Sequence, residues 1–181
     1  MRYLAGFLSM VMGFVALTQA DEDCYREVEY LIICEDSFYS ACLEHASRLR
    51  QNPVHYPLEV DVYTLGGIEA TYGAADSTCV RKAIADLWRF GNDCLKYVLL
   101  VGRQVPTYRY QPRKAPLRRH HAYITTDDPY GDMDGDGQLE IAVARVCVET
   151  EEEFTAWSDK VQRWMEMDEA DPFNSKVLIL A

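Results

Sequence analysis

The sequence predicts an α/β fold built on a mainly parallel β-sheet with flanking helices. Three observations carry this prediction. Residues 30–34 and 97–102 are short, continuous apolar runs of the kind that form strands buried on both faces. Residues 58–62 alternate apolar and acidic side chains, which is typical of a half-exposed strand near a sheet edge. Helical patterns separate these strands, so right-handed crossovers should connect them.

Two of the connections contain predicted helices. The first helix should be capped by Asp36 or Ser37, because these side chains precede a three- and four-residue apolar spacing. The second should be capped by Asp76 or Ser77 and ended by Gly91 in a left-handed conformation. The predicted core-facing residues are Phe38, Ala41, His45, Ala46 and Leu49 in the first helix and Val80, Ile84, Leu87 and Trp88 in the second.

Glycines mark the connection between the strand at 58–62 and the second helix. Gly66, Gly67 and Gly73 predict a flexible loop there. Their spacing is not the G-x-G-x-x-G pattern that holds a dinucleotide pyrophosphate, so no nucleotide site is predicted.

The last third of the chain continues the pattern of strands and helices. Residues 121–126 and 140–148 predict two further strands joined through an aspartate-rich turn. Thr150 and Glu153 form a capping box for a final helix. Residues 176–181 begin another buried strand on which the sequence stops, so we expect a truncated domain. The predicted core stripe of the final helix is Phe154, Trp157, Val161, Trp164 and Met165.

The amino terminus has the composition of a signal peptide. Arg2 precedes an apolar run over residues 3–17, and small residues follow at the expected cleavage site. We therefore expect residues 1–20 to be removed and residues 21–181 to be exported. An uncleaved anchor is the alternative, although the run is shorter than the roughly 20 apolar residues of a membrane-spanning helix. No later segment is apolar enough to span a membrane.

Six cysteines follow the predicted cleavage site. An oxidising compartment would allow some of them to pair, but the sequence does not fix which. None of the spacings is of the C-x2-C type found in zinc sites. Cys34 and Cys147 lie in apolar, strand-like runs, so we expect both to be small buried core residues.

The formal net charge of −11 disfavours binding to nucleic acid or to anionic lipid surfaces. Residues 109–119 are the exception, since they contain five basic side chains. Prolines interleave with these side chains, which predicts an exposed loop of irregular backbone.

Residues 127–140, the aspartate loop, hold six acidic side chains around a glycine-rich turn. Asp132, Asp134 and Asp136 match positions one, three and five of the D-x-D-x-D-G calcium pattern. Position twelve should be a bidentate Glu and is Val143, so the loop is not an EF-hand. A calcium loop that precedes a strand and an unoccupied polar turn both remain open. The candidate metal ligands are Asp128, Asp132, Asp134, Asp136, Gln138 and Glu140.

The sequence contains no local signature of nucleophilic catalysis. His120 and His121 could approach Cys147, but all three lie in strand-like segments and are better explained as ordinary sheet residues. His45 is expected to pack in the core. We therefore assign no catalytic residue.

Several motifs follow one another in a fixed order between residues 96 and 145. They are KYVLLVG at 96–102, Pro106, TDD-x-Y at 126–130, DMDGDG at 132–137 and EIAVAR at 140–145. In this order they resemble the gingipain family of cysteine peptidases. The strand-helix-strand that begins at Tyr30 resembles the family's opening, so the resemblance covers nearly all of the mature chain. Arg103 departs from the family, which often has an acidic residue there.

The resemblance implies a caspase-like α/β architecture of two side-by-side subdomains. It also implies secretion and a calcium-stabilised endopeptidase that acts on protein or peptide substrates. Residues 21–181 would supply the first subdomain and the first strand of the second. The family's catalytic histidine and cysteine lie downstream of the strand that matches residues 176–181, so this chain would be inactive alone.

Two classes of function therefore remain. The first is the amino-terminal portion of a peptidase, which predicts coding sequence beyond Ala181 with a Gly-His-Gly-like segment and a later cysteine. The second is a non-catalytic exported module that binds calcium, or a protein partner through the exposed edge of its final strand. The intact mass of the protein from its native source distinguishes the two classes, because a mass well above that of residues 21–181 indicates the first and a mass equal to it indicates the second.

Overall fold

A computed structural model describes residues 27–51, 57–110 and 124–166. The predicted signal peptide at 1–20, the final strand at 176–181 and most of the basic loop lie outside these residues. So do His120 and His121.

The described residues form six strands and four α-helices. The strands are β1 (Tyr30–Cys34), β2 (Val60–Thr64), β3 (Tyr97–Val101), β4 (Tyr108–Tyr110), β5 (Ile124–Thr126) and β6 (Ala142–Val146). The α-helices are α1 (Tyr39–Arg50), α2 (Leu65–Tyr72), α3 (Ser77–Phe90) and α4 (Glu151–Met165). Short 3-10 helices span Asp36–Phe38 and Asp128–Tyr130.

Four strands form the predicted parallel sheet, in the order β2-β1-β3-β6. Tyr30 at the start of β1 pairs with Tyr97, and Val101 at the end of β3 pairs with Val146. The half-exposed strand β2 lies at the sheet edge, as its alternating pattern predicts. A separate antiparallel ribbon joins β4 and β5. Its β4 strand corrects the prediction that the basic loop is irregular from Arg109 onward.

Helices cover both faces of the sheet. Ile32 and Leu99 point to the face that carries α1 and α4, while Leu31 and Leu100 point to the face that carries α2 and α3. All four side chains are almost completely buried. Burial of each such side chain stabilises the fold by about 1.5–3 kcal/mol, so the continuous apolar runs are explained by contact on both faces.

The prediction of a flexible glycine loop is wrong, because residues 65–72 form α2. The hydroxyl of Thr64 accepts a hydrogen bond from the Gly67 N–H at 3.0 Å and caps the helix. Gly73 ends it in the left-handed region, with φ of +87°. The predicted cap at Asp36 is also wrong, since its carboxylate accepts from the Gly66 N–H at 3.0 Å. The 3-10 helix Asp36–Phe38 precedes α1, which has no side-chain cap.

The cap of α3 is confirmed, whereas its predicted end is not. The Asp76 carboxylate accepts from the Cys79 N–H at 2.9 Å. Gly91 has a φ of −92°, so it is not left-handed. The chain turns instead through Asn92 and Asp93, whose φ angles are +51° and +61°.

Helix α4 begins with the predicted cap, since Thr150 accepts from the Glu153 N–H at 3.3 Å. Its stripe is only partly in the core. Phe154 is fully buried, but Trp164 is 61 % exposed. The pattern therefore overstated how much of this helix is buried.

The two cysteines that were expected in the core differ in burial. Cys34 is fully buried, as predicted, whereas Cys147, which follows the last residue of β6, is exposed, so its predicted place in the core is wrong. Cys94 is disulfide-bonded, and Cys34, Cys42, Cys79 and Cys147 are thiols. No helix among the described residues is long and apolar enough to cross a membrane.

Candidate functional site

The aspartate loop connects β5 with β6 and is anchored in the core at both ends. Tyr130 and Ile141 are fully buried. The Tyr130 hydroxyl donates to the Pro106 carbonyl at 2.7 Å, and its ring meets Tyr108 edge to face. Burial raises the pKa of Tyr130 well above its usual value, so the hydroxyl stays protonated and remains a donor. The core therefore fixes the ends of the loop.

Arg81 holds the loop from the neighbouring helix α3. Its Nε atom donates to the carbonyl of Pro129 at 2.8 Å, and its Nη2 atom donates to the carbonyl of Asp132 at 2.7 Å. Because Arg81 lies 48 and 51 positions away along the chain, no local pattern could have revealed this contact. The two carbonyls are already engaged and point to the guanidinium.

Three of the predicted ligands converge. One carboxylate oxygen each from Asp132, Asp134 and Asp136 lies within 4.8 Å of the others. The loop curls around its own carboxylates, since Asp132 accepts from the Gly135 N–H at 2.7 Å and from the Gly137 N–H at 3.2 Å. Both glycines have left-handed φ angles, of +85° and +88°, which the tight curl requires.

The other three predicted ligands do not share this point. The Glu140 carboxylate accepts from the Met133 N–H at 2.6 Å and closes the base of the loop. The Gln138 side-chain amide donates to Asp136 at 2.8 Å. Asp128 begins the 3-10 helix and uses its backbone N–H to bond Thr126 at 3.1 Å. Of the six predicted ligands, the structure therefore brings together the side chains of three.

Arg145 joins β6 to the start of the aspartate loop. Its Nε and Nη2 atoms each donate to one oxygen of Asp127 at 2.8 Å, which is the bidentate geometry. The Nη1 atom donates to the carbonyl of Val105 at 2.8 Å. Burial acts to lower the pKa of Arg145, but the hydrogen bonds and charge of Asp127 outweigh it, and the pKa stays above its ordinary value. The sequence motif contains Arg145, but only the fold shows what it binds.

The carboxyl edge of the sheet is the second candidate region. The chain moves from β1 outward to β2 and then back to β3 on the other side of β1, so the strand order switches there. Open α/β sheets bind ligands at such switch points. Here the Glu35 carboxylate accepts from the Gln104 N–H at 2.6 Å. A cavity of about 400 Å³ lies beside this contact and is lined by Glu35, Asp36, Gly66, Glu69 and Gln104, among others.

No cysteine–histidine pair is formed among the described residues. Their one histidine, His45, is 3 % exposed and bonds through Nδ1 to the Ser158 hydroxyl at 2.8 Å. Burial, aided by the nearby Arg48 charge, lowers the pKa of His45 to about 4. Its ring contacts Phe154 and Trp157, so the prediction of a packing role is confirmed. The pairing of Cys147 with His120 or His121, which the sequence disfavours, lies partly outside the described residues.

Arg103 and Glu149 form an ion pair that links the ends of β3 and β6. Both side chains are well exposed, so solvent screens this contact. Arg103, at a position where the family often has an acidic residue, is therefore an exposed basic side chain at the carboxyl edge of the sheet.

An apolar groove of about 650 Å³ runs between α4 and the sheet. It is lined by Tyr30, His45, Leu49, Leu58, Tyr97, Leu99, Ala144, Trp157, Val161, Trp164 and Met165. Strand β6 borders this groove, and among the described strands it pairs only with β3.

Comparison with known proteins identifies the family. A sequence model described as peptidase family C25, the gingipain family, matches residues 24–181. A search of curated protein sequences finds no significant match.

Solved structures share the fold. The dimeric latent PorU of Porphyromonas gingivalis is 18 % identical, with a TM-score of 0.63 over 82 % of this chain and 16 % of its own. A complex of the pro- and mature domains of RgpB from Porphyromonas gingivalis is 16 % identical, with a TM-score of 0.54 over 73 % of this chain and 28 % of its own. A structure described as a protease is 20 % identical, with a TM-score of 0.56 over 74 % and 27 %.

This chain spans less than a third of the length of these structures. Its parallel four-stranded sheet corresponds to part of their caspase-like fold. The family match extends over nearly the whole sequence that follows the predicted signal peptide. The chain belongs to peptidase family C25, the gingipain family of cysteine peptidases.

Proposed function

We propose that this chain is the amino-terminal portion of an exported gingipain-like cysteine endopeptidase that acts on protein or peptide substrates. The observation that carries this proposal is the family match over residues 24–181. The catalytic histidine and cysteine belong to a part of the domain that these residues do not include. The isolated chain is then the first subdomain, and it is inactive alone.

Two structural observations support inactivity of the isolated chain. The buried His45 bonds Ser158 and faces the core, so it is no general base for an external substrate. Cys147 is exposed, but no described histidine lies beside it. The solved relatives are also several times longer than this chain.

The decisive experiment compares the purified chain with the natural gene product. The intact mass of the protein from its native source is measured first. We expect a mass well above that of residues 21–181, and hydrolysis of a mixed peptide library by that longer species only. Hydrolysis by the pure 181-residue chain that is lost with Cys147→Ala would refute the assignment of the dyad to the missing part.

Export is proposed on the amino-terminal sequence and on cysteine usage. The first 20 residues have signal-peptide composition. Cys94 is disulfide-bonded, and disulfides persist mainly in oxidising compartments. Amino-terminal sequencing of the natural protein should begin near Asp21. An intact Met1 on the exported protein would instead favour the uncleaved anchor.

We also propose that the aspartate loop binds calcium. The carboxylates of Asp132, Asp134 and Asp136 face one another within 4.8 Å, and their mutual repulsion favours a hard divalent cation between them. Side-chain and backbone oxygens near Gln138 could complete the shell, whereas Glu140 already accepts a backbone N–H. When bound, the ion would stabilise the folded loop and would take no part in bond cleavage.

Calcium binding is tested by thermal unfolding of the chain with EDTA and with calcium. A ligand that binds only the folded state at 100 times its Kd stabilises it by about 2.7 kcal/mol. We expect calcium to raise the Tm of the wild type and to have no effect on Asp134→Asn. Glu69→Gln removes the same charge outside the loop and should keep the response. An equal response in the wild type and in Asp134→Asn would contradict the proposed site.

The second candidate function is a non-catalytic module that binds a protein partner. The apolar groove favours it, because it offers an apolar surface beside β6, a strand that pairs only with β3 among the described strands. The partner surface predicted from sequence, the strand at 176–181, lies outside the described residues. A native mass equal to that of residues 21–181, with no hydrolysis, would select this candidate.

A further inference from the structure

Cys94 is disulfide-bonded, and the other described cysteines are all thiols. The sequence holds six cysteines, and five of them lie in the described part of the chain. The four thiols are Cys34, Cys42, Cys79 and Cys147. The sixth cysteine is Cys24, which precedes the described residues. Within this chain, Cys24 is therefore the cysteine that is left to bond Cys94.

The segments that lead into β1 and β3 run side by side. These two strands are parallel, and their first residues pair with each other. Before the strands begin, the Glu29 carbonyl accepts from the Lys96 N–H at 2.9 Å, and the Lys96 Nζ atom lies 3.0 Å from the Glu29 carboxylate. Glu27 and Cys94 each lie three positions before the first residue of their strand. The register of the strands therefore places Glu27 and Cys94 at the same level.

Contacts at the turn after α3 bring the start of the described chain close to Cys94. A Cβ atom on Gly91 would lie 4.0 Å from the Cβ atom of Glu27. The Cys94 N–H donates to the Gly91 carbonyl at 2.9 Å, so the turn brings Cys94 back to this point. Cys24 lies three positions before Glu27, and three extended residues span about 10 Å. A disulfide needs Cα atoms about 4.4–6.8 Å apart, so Cys24 is within reach of Cys94.

We propose that Cys24 and Cys94 form an intrachain disulfide that attaches the start of the exported chain to the turn between α3 and β3. The proposal rests on export, because an oxidant is needed. By thiol–disulfide exchange the two thiols give up two protons and two electrons to a small disulfide such as oxidised glutathione. One protein S–S bond forms, the S–S bond of glutathione breaks, and two reduced glutathione molecules leave.

The proposed bond closes a long loop of the chain. The loop contains β1 and β2 with the helices α1, α2 and α3, whereas β3 and β6 follow it. Cys24 lies three positions after Asp21, the predicted first residue of the exported chain, so the bond holds this terminus beside the sheet. A cross-link stabilises a fold by limiting the unfolded chain, and a long loop gains more than a short one. We therefore expect reduction to destabilise the chain.

Peptide mapping tests the proposal, because trypsin separates the two cysteines. The 181-residue chain is reduced, refolded in reduced and oxidised glutathione, quenched with acid, denatured, alkylated with N-ethylmaleimide and digested. Cys24 is released in a peptide that ends at Arg26, and Cys94 is released in residues 90–96. We expect the two peptides to be joined, without an alkyl group on either cysteine, and lighter by two hydrogen atoms than their sum. Reduction should separate them.

The exposed Cys147 is the internal reference, because its peptide, residues 146–160, contains no other cysteine. It should carry an alkyl group, which shows that free thiols were labelled. Cys94 joined to any other cysteine, or alkylated together with Cys24, would overturn the proposal. Refolding in glutathione does not depend on export, so either result would leave the export proposal standing. If the bond forms in glutathione but both cysteines are alkylated in the protein from its native source, the pair is confirmed and export is wrong.

Variants provide a second readout of the same bond. In Cys24→Ser, Cys94 should become alkylated, and reduction should no longer lower the urea midpoint. Cys147→Ser is the matched control, in which the two peptides stay joined and reduction lowers the midpoint as in the wild type. A midpoint that reduction lowers equally in Cys24→Ser and in the wild type would contradict the proposed bond. If Cys24→Ser does not fold, the peptide map of the wild type decides.

Discussion

Two arginine side chains near the carboxyl edge of the sheet show that the free energy an ion pair contributes to folding depends on its burial. Arg145 has a 13 % exposed side chain and four hydrogen bonds, to Asp127 and to two backbone carbonyls. Arg103 makes an equally direct contact with Glu149, but both side chains are about two-thirds exposed. Only the first pair leaves a buried charge and unpaired carbonyls when its arginine is removed.

We therefore predict that Arg145→Met destabilises the fold by about 3–5 kcal/mol, the range expected for removing one partner of a buried, hydrogen-bonded pair. Arg103→Met is the matched control and should cost less than about 1 kcal/mol. Urea unfolding of both variants at neutral pH measures the difference. Similar losses in the two variants would contradict the assignment of Arg145 as the residue that ties β6 to the aspartate loop.

His45 should make stability depend on pH. Its pKa is about 4 in the folded chain, because burial disfavours the charged ring, and about 6.5 when unfolded. The unfolded state therefore binds more protons between these values, so this contribution is complete above about pH 6.5 and is lost as the pH falls to about 4. The full loss is about 3 kcal/mol at 1.36 kcal/mol per pKa unit.

The measurement is the free energy of unfolding of wild type and His45→Gln at several pH values from 7 to 4. The difference between the two proteins should shrink as the pH falls, because only the wild type has the buried imidazole. Carboxylates titrate in both proteins and cancel in the comparison. Ser158→Ala removes the partner hydroxyl but keeps the imidazole, so it should retain the wild-type slope. Parallel pH curves for wild type and His45→Gln would show that the ring does not titrate in this way.

At the scale of elements, the strand ends are set by contacts between backbone and carboxylates. Gly102 follows β3 with a φ of +104°, and a Cβ atom there would overlap the Glu35 carboxylate. Gly73 has a similar φ of +87° after α2, but a Cβ atom there would meet nothing within 4 Å. Both glycines have a left-handed backbone conformation, but only at Gly102 is there no room for a Cβ atom.

Gly102→Ala should therefore destabilise the fold more than Gly73→Ala. The left-handed conformation alone costs an alanine about 1–2 kcal/mol, which applies to both variants. At Gly102 the Glu35 carboxylate must also move and release the Gln104 N–H, which adds about 1 kcal/mol. Thermal unfolding compares them, and an equal shift in Tm would mean that the Glu35 contact contributes little.

At the scale of the whole molecule, the main feature is the apolar groove beside β6, which pairs only with β3 among the described strands. Trp164 is 61 % exposed at one end of this groove. Phe90, at the end of α3, is even more exposed but lies outside the groove. An exposed apolar surface favours association with another chain.

We predict that the isolated chain self-associates and that Trp164→Lys increases the monomer fraction. Phe90→Lys adds the same charge in place of an exposed aromatic residue and should have little effect. Light scattering after size exclusion measures both at one protein concentration. A wild-type chain that elutes as a sharp monomer would contradict the prediction.

The sequence by itself determined the four strands of the parallel sheet, the helices α1, α3 and α4, and the family. Strands such as residues 30–34 can be predicted from sequence because burial on both faces requires continuous apolar side chains. Helix caps such as Asp76 and Thr150 can be predicted because they bind N–H groups within one turn. The motif order from 96 to 145 led to the gingipain family, which the family match shows. It also placed Asp132, Asp134 and Asp136 in one loop.

Only the tertiary structure decided the contacts between segments distant in sequence. Helix α2 forms in a glycine-rich segment because Thr64 caps it and Asp36, 30 positions before Gly66, accepts a hydrogen bond from the Gly66 N–H in its first turn. Arg81 binds carbonyls of the aspartate loop from another helix, and Cys147 is exposed although its sequence context is apolar. Local patterns record what each residue needs from its neighbours in sequence. They do not record which distant residue provides a hydrogen bond or covers a side chain.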